Sequence, residues 1–332
     1  MPPEFTQLQL ALLGHLRQRP GSYHEVSTLA QLCAQSSKSV SEALDALGAW
    51  GYQLSRNQSG QVSLTDTPDR LYAHEIRFGL PTRTVGSNVH AFDITDSTNL
   101  RADEFARQNA PEGTLVVCEM QSAGKGRLNR QWYSPRHTGI YASLVLRPKV
   151  DPASTPGISL LMAAAVVTAV RELTDLPAQI KWPNDVLIGG RKSAGILADL
   201  TAESARVSYL ILGLGVNVNQ SESDFPPEIA EKATSIRLET GRPLNRVRLL
   251  QHILMDFEKR YFNFLANGLV AELPTLKALS SVLSKRIRFE HQGARMEGTA
   301  MDIDANGLLV VDVDGRIMNL TAGEISLAEA YQ

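Results

Sequence analysis

The segment Lys181-Trp182-Pro183-Asn184-Asp185-Val186-Leu187-Ile188-Gly189-Gly190-Arg191-Lys192-Ser193-Ala194-Gly195-Ile196-Leu197 constrains the fold more than any other. Residues 185–188 are short, apolar and bounded by turn formers, so they read as a strand. Gly189-Gly190 can take the two positive φ angles of a tight hairpin turn, and residues 193–200 read as the returning strand. A chain carrying this hairpin must build a sheet around it. Pro183 is expected to hold its own segment extended. Lys192 falls where turn meets strand, close to Asn184 and Asp185 across the hairpin. A lysine beside an apolar strand can place a fixed positive charge in an anion site. The plainer alternative is a surface lysine laid along the hairpin.

A second stretch lies upstream, Gln121-Ser122-Ala123-Gly124-Lys125-Gly126-Arg127-Leu128-Asn129-Arg130-Gln131-Trp132. Gly124 and Gly126 let backbone approach a ligand closely. Lys125, Arg127 and Arg130 offer cationic donors for phosphate or carboxylate. Trp132 offers either a flat stacking surface or a core side chain. The stretch lacks the Gly-Lys-Ser/Thr ending of a Walker A loop and the Gly-x-Gly-x-x-Gly spacing of a dinucleotide fingerprint. Alone it is equally consistent with a solvated turn.

At 332 residues the chain exceeds one ordinary core. Its 43% apolar and 20% charged content is that of a globular protein. A net charge of −2 excludes bulk attraction to nucleic acid or anionic membrane, so any DNA contact must come from a local patch. Cys33 and Cys118 are far apart and outside metal-ligand spacing, which fits packing roles in a reducing cytoplasm and no metal site. The N-terminus lacks a signal-peptide layout. The longest uncharged apolar run, 158–170, is too short to span a bilayer and reads as a core helix, so no membrane partner is expected.

Residues 1–66 read as a winged helix-turn-helix. Phe5, Leu8, Leu12 and Leu16 recur at helical spacing, a short helix follows near 26–33, and Ser36 or Ser37 can cap a third bearing Val40, Leu44, Leu47 and Trp50. Two strands near 52–56 and 61–64 complete the pattern. Ser37, Lys38, Ser39, Ser41 and Arg56 are the candidate DNA contacts. Against that, the segment holds four Lys/Arg and five acids, no positive footprint, so a non-DNA-binding module stays open.

Residues 67–84 read as a linker with a short helix. A domain from 85 to 276 follows, with strands near 114–120, 140–147, 185–188 and 208–214 and helices near 158–173 and 246–265. Hairpins mixed with helices point to an α+β class with a mixed sheet. In 277–332, short strands alternate with Gly293, Gly298, Gly307 and Gly315, as in a small β-barrel.

The glycine/arginine-rich loop, the Lys-Trp-Pro-Asn-Asp segment and the Lys192-x-x-Gly195-Ile196-Leu197 segment, in this order, resemble the biotin protein ligases. Asp96-Ser97-Thr98-Asn99, Gly213-Leu214-Gly215-Val216-Asn217 and Ala322-Gly323-Glu324-Ile325-Ser326-Leu327 match further family segments. The N-terminal segment resembles the DNA-binding head of the bifunctional members, which also repress the biotin operon. The resemblance implies a biotin/lipoate-ligase-like catalytic domain and an SH3-like C-terminal domain. It implies that biotin and ATP form biotinyl-5′-AMP, with Mg²⁺ carried largely by ATP and water, and that a lysine of the biotin carboxyl carrier protein of acetyl-CoA carboxylase takes the biotinyl group. Operator DNA and a ligand-promoted homodimer are the other implied partners.

The same resemblance assigns Lys192, Arg127 and Asp185 to catalysis. It assigns biotin to Ser97, Thr98, Asn99, Gln121, Gly124, Lys125, Gly126, Arg127, Lys192 and Gly195. Lys125, Arg127, Arg130, Trp132, Lys181, Asn184 and Asn217 would face ATP or the adenylate. Lys181 has pairing with Asp185 as its alternative, and the Ser/Thr/Asn cluster has turn and cap duty. His24, His74 and His137 read as surface or packing residues. The loop departs from the family's Gly-Arg-Gly-Arg-x-Gly-Arg: Lys125 replaces an arginine fork, Asn129 takes the place of a glycine as a left-handed candidate, and Leu128 adds an apolar side chain. Ala328 stands where bifunctional relatives often carry Arg. Two other functions remain open, a lipoate or octanoyl transferase on the same fold and a ligand-sensing regulator without ligase activity.

Overall fold

Thr6 starts the first helix. Its hydroxyl accepts the Gln9 N–H at 3.3 Å, and Gln9 Oε1 accepts the Thr6 N–H at 2.8 Å, a reciprocal cap at the head of α1 (Gln7–Gln18). The computed structural model describes residues 5–203, 206–321 and 325–327, and the chain divides into two compact units, Met1–Arg70 and Leu71–Gln332.

In the first unit α1 is followed by α2 (Val26–Leu32), α3 (Ser37–Ala49) and the antiparallel pair β1 (Gln53–Arg56) and β2 (Val62–Asp66). Ser36, rather than Ser37, caps α3 by accepting the Ser39 N–H at 3.1 Å. Leu12, Leu16, Leu29, Val40, Leu44, Leu47 and Val62 form its core. Three helices and a hairpin make the winged helix-turn-helix arrangement expected from the periodicity.

The second unit begins with α4 (Ala73–Arg77), β3 (Val89–Thr95), α5 (Thr98–Arg107), β4 (Leu115–Gln121), β5 (Gly139–Leu146) and α6 (Thr155–Thr174). It continues through β6 (Gln179–Lys181), β7 (Asp185–Ile188), β8 (Arg191–Glu203), β9 (Arg206–Asn217), α7 (Pro227–Ala230), α8 (Ile236–Thr240), α9 (Arg246–Asn267) and α10 (Leu273–Ala278). The strands from β3 to β9 make one seven-stranded sheet in the order β3-β4-β5-β9-β8-β7-β6. Only β3 and β4 run parallel, with α5 between them, so the sheet is mixed. A five-stranded antiparallel sheet follows, built from β10 (Arg286–His291), β11 (Ala294–Ile303), β12 (Leu309–Val313), β13 (Arg316–Leu320) and β14 (Ile325–Leu327).

Alternation along β4 and β5 gives the large sheet two buried faces. Leu115, Val117 and Leu144 join the main core, whereas Val116 and Val145 turn to a smaller cluster with Ala102 and Ala106 of α5. By length and composition α6 could cross a bilayer. Its burial against α9 and the β6–β8 end of the sheet makes it a core helix here, and it is longer than the apolar run suggested.

The stretch read as a linker is partly core. Leu71 and Ile76 are buried in the main cluster, and Glu258 of α9 accepts the N–H groups of Arg83, Thr84 and Val85 at 2.7–2.8 Å. The domain read as 85–276 therefore begins, in packing terms, near residue 71. The main cluster also takes in Ile287, Phe289, Ala300, Leu309 and Ile325 of the C-terminal strands, so the two sheets share one core.

Candidate active site

Gly189 and Gly190 have φ of 56° and 79°, so the β7–β8 connection is the two-residue turn that the sequence demanded. The segment before it is different from the extended entry expected. Residues 182–184 form a second tight turn, joining β6 to β7 through a cis Trp182–Pro183 peptide, with Lys181 opposite Asp185. Asn184 is clasped to β8: its Nδ2 donates to Ile196 O at 2.7 Å, and its own carbonyl accepts the Ile196 N–H at 2.9 Å. That leaves Asn184 Oδ1 aimed at the glycine-rich loop, where it accepts Arg127 Nη1 at 2.8 Å.

Lys192 is held at both ends. Its main chain bonds to the segment 232–234, donating to Lys232 O at 2.8 Å and accepting Thr234 N–H at 2.9 Å. Its ammonium lies 2.7 Å from Asp185 Oδ1 and 5.4 Å from the centre of the Trp132 ring. Asp185 thus pairs with Lys192, not with Lys181 as the simpler alternative had it. Lys181 lines the same cavity with Lys125, Arg127, Arg130, Trp132, Asn184 and Asn217, which places the cations around one space of about 1310 Å³.

The floor is made of glycines. Gly195 and Gly215 are cross-strand partners on β8 and β9, and Trp132 lies on them. A Cβ on Gly215 would come within 2.4 Å of the indole, and one on Gly195 within 3.0 Å. The room that these glycines leave is therefore occupied by Trp132. Gly213 does the same service for Asn99, whose Oδ1 would sit 2.2 Å from a Cβ there.

The polar end is a closed network. Gln121 Oε1 accepts Thr98 N–H at 2.8 Å, and Gln121 Nε2 donates to Ser134 Oγ at 2.9 Å. The Ser143 hydroxyl lies 2.6 Å from Asn99 Oδ1 and 2.8 Å from Thr98 Oγ1, and Asn99 Nδ2 donates to Asp199 at 2.8 Å. Ser97 is the N-cap of α5, and its N–H donates to Asp96 at 2.7 Å. Burial resists ionisation of Asp96, but the Ser97 N–H, the Thr95 hydroxyl and Arg101 outweigh it and hold the carboxyl below its usual range. The same cluster thus holds the turn and lines the cavity.

The loop between β4 and β5 doubles back on itself. Gly126 N–H donates to Arg130 O at 2.7 Å and Trp132 N–H to Gly124 O at 2.9 Å. Its left-handed residue is Leu128, with φ of 56°, rather than Asn129, and Leu128 is 70% exposed. Gly124 is buried and lines a smaller cavity bordered by this loop with Leu197 and Asp199, not the main one. Asn217 braces the far wall, donating to Thr234 O at 3.1 Å.

Several cavity residues carried no recognisable signal in the sequence. Phe225, Ile229 and Ala233 come from the connection after β9, and Arg288, Phe289 and Met296 come from the C-terminal sheet. A buried pair was equally silent: Arg246 of α9 donates to Glu119 of β4 at 2.7 Å. Glu119 also accepts the Leu71 N–H at 2.9 Å and faces His137 at 3.1 Å, so His137 does more than pack. Burial resists ionisation of Glu119, yet Arg246, Leu71 and His137 together hold its pKa below the usual value. Among the described residues no group of three His, Cys, Asp or Glu could hold a metal ion. Of the C-terminal motif, residues 322–324 and Ala328 lie outside the described residues.

In the first unit, Lys38 lies 4.0 Å from Glu42 and Arg56 lies 3.3 Å from Asp45. The Ser39 hydroxyl lies 2.9 Å from that of Ser36, at the cap. Ser37 and Lys38 are exposed, and Ser41 is half-buried.

Residues 91–217 match the model of the biotin/lipoate A/B protein ligase family. The bifunctional ligase/repressor BirA of Bacillus subtilis is 37% identical over 292 residues, covering 88% of this chain and 90% of that protein. The biotin–[acetyl-CoA-carboxylase] ligase of Mycobacterium tuberculosis is 34% identical over 253 residues, covering 72% and 90%. The biotin protein ligase of Aquifex aeolicus, solved in complex with biotin and ATP, superposes with a TM-score of 0.63 at 26% identity, covering 74% of this chain and all of that one.

Proposed function

The chain belongs to the bifunctional ligase/repressor group of the biotin protein ligases, and on that premise we propose how its own residues divide the work. Biotin lies in the cavity beside Trp132, which covers Gly195 and Gly215, with its polar head among Ser97, Thr98, Asn99 and Gln121 and its carboxylate toward Lys192. Lys125, Arg127 and Arg130 close over it and meet the phosphates with Lys181. An oxygen of the biotin carboxylate attacks the α-phosphorus of ATP, the bond to the β-phosphate oxygen breaks, and pyrophosphate leaves. The neutral ε-amine of a carrier lysine then attacks the acyl carbon of biotinyl-5′-AMP. AMP departs with the bonding electrons, and the amine gives up a proton.

Both partners of the first step are anions, so the site must supply cations before it can do chemistry. The observation that carries this reading is the Lys192–Asp185 pair at 2.7 Å, beside the Arg127–Asn184 bond at 2.8 Å. Asp185 steers Lys192, and Asn184 presents Arg127, before any ligand arrives. Mg²⁺ would come with ATP as part of that substrate, held largely by its phosphates and water. The cytoplasm supplies ATP and the carrier.

Labelling of a biotin carboxyl carrier domain tests the reading. Biotin and MgATP should label it at one lysine, and lipoate should not. Labelling with lipoate alone would make the chain a lipoate-type transferase.

The winged helix-turn-helix supports a second activity, biotin-responsive repression by a ligand-promoted homodimer on operator DNA. Ser37, Lys38, Ser39, Ser41 and Arg56 lie on or beside α3 and would carry the contacts. Fluorescence anisotropy of an inverted-repeat DNA from upstream of the host's biotin-synthesis genes, with and without biotin and MgATP, decides it. Binding that tightens with ligand makes the chain a repressor, and no binding at low salt leaves a ligase only.

A further inference from the structure

We propose that Trp182 is a positioning residue for adenylation, through which the C-terminal sheet holds the turn bearing Lys181, Asn184 and Asp185. The inference rests on the ligase reading above. Trp182 sits in the middle of that turn and borders the cavity with Lys181, Asn184 and Asp185, yet the residue is only 2% exposed. Its Nε1–H donates to the carbonyl of Gly307 at 2.9 Å, 125 residues along the chain.

Gly307 is a fixed acceptor. It lies in the β11–β12 turn with φ of 83°, and a Cβ there would stand 3.2 Å from Gly157 N and Cα at the start of α6. A side chain at 307 would thus meet backbone. Asp304 sets the turn: its Oδ1 accepts the N–H groups of Asn306 and Leu308 at 2.9 Å, and its carbonyl accepts Gly307 N–H at 3.0 Å.

A second tie runs beside the first. Ile180 of β6 donates to Leu279 O and accepts Ser281 N–H, both at 2.8 Å, so the edge strand feeding the turn is bonded to the chain entering the C-terminal sheet. From the turn the geometry passes onward: Asn184 holds Arg127, and Asp185 holds Lys192. Among the described residues the polar end of the cavity shows no such tie: Thr98 bonds to Gln121 of β4 and Ser143 of β5, and Gln121 bonds to Ser134. Loosening Trp182 should therefore disturb ATP more than biotin, whose polar head lies at the end without that tie.

The full-length chain and its Trp182→Phe and Asp304→Ala variants would be compared with biotin and MgATP. Single-turnover pyrophosphate release gives the adenylation rate and the KM for ATP, and equilibrium binding without ATP gives the Kd for biotin. Phenylalanine keeps the ring and strands the Gly307 carbonyl, so adenylation efficiency should fall about tenfold, with the Kd for biotin changed by less than about twofold. Asp304→Ala, outside the cavity, should shift the KM for ATP in the same direction by a smaller factor, and it carries the test if Trp182→Phe does not fold. Wild-type ATP kinetics in a folded Trp182→Phe, or in Asp304→Ala, overturns the proposal. So does an equal loss of biotin affinity, which marks general loosening. A wild-type chain that releases no pyrophosphate overturns the ligase reading instead.

Discussion

Lys192 and Asp185 face each other across the β7–β8 hairpin with ammonium and carboxylate 2.7 Å apart. A β-bulge between Val186 and Leu187 shifts the register, so that Lys192 pairs with Leu187 and its side chain reaches back toward Asp185. Removing the charge should cost far more than the pair is worth as a surface ion pair. Lys192→Ala is expected to slow adenylate formation by about 100- to 1,000-fold, as loss of one preorganised transition-state donor does, with the thermal midpoint nearly unchanged. Rapid-quench measurement of biotinyl-5′-AMP checks this. Full carrier labelling by the variant would remove Lys192 from its role.

Lys125 is a point charge where a planar fork would bind an anion through two parallel bonds. Lys125→Arg should therefore slow release of the adenylate by about 10- to 100-fold, the worth of one added charge-assisted hydrogen bond. Stopped-flow displacement by excess biotin measures it. Unchanged affinity and unchanged release would show that the substitution is silent.

The buried Glu119–Arg246 pair ties stability to pH. Its folded-state pKa is depressed, so the carboxylate contributes its stability above the ordinary value of 4.5, and that contribution drains as pH falls below it through the folded value. Arg246→Ala leaves the carboxylate buried with less to hold its charge, and about 3–5 kcal/mol should be lost near neutrality. Urea unfolding of wild type and variant between neutral and acid pH tests the sign. The difference should shrink as the solution becomes acid. A constant difference would mean that packing, not charge, is what Arg246 supplies.

Lys38 of α3 and Arg56 of β1 each sit beside an acid of α3. Replacing those acids, as in Glu42→Gln with Asp45→Asn, should free Lys38 and Arg56 for phosphate. Operator affinity should rise, and the slope of log K against log salt should steepen by up to about one per cation. Anisotropy titrations over a salt series read both. Equal slopes for wild type and variant would place the phosphate contacts elsewhere.

Local rules made much of this molecule legible before any coordinates. Periodic leucines marked the helices of the first unit. The Gly189-Gly190 turn required a hairpin, because only residues tolerant of positive φ close so short a connection. The cations, amides and floor glycines of the site were visible as motifs, and most of them line one cavity. The arrangement between those motifs was not legible, because it depends on groups far apart in the chain. Trp182 bonds to Gly307, Arg246 to Glu119, and Lys192 to the segment 232–234, and none of these pairs leaves a periodic trace. The same is true of Trp132, whose place over Gly195 and Gly215 follows from β8 pairing with β9. Residue chemistry thus determined which groups could act. Long-range packing, with its close approaches and shared buried charges, decided which of them meet.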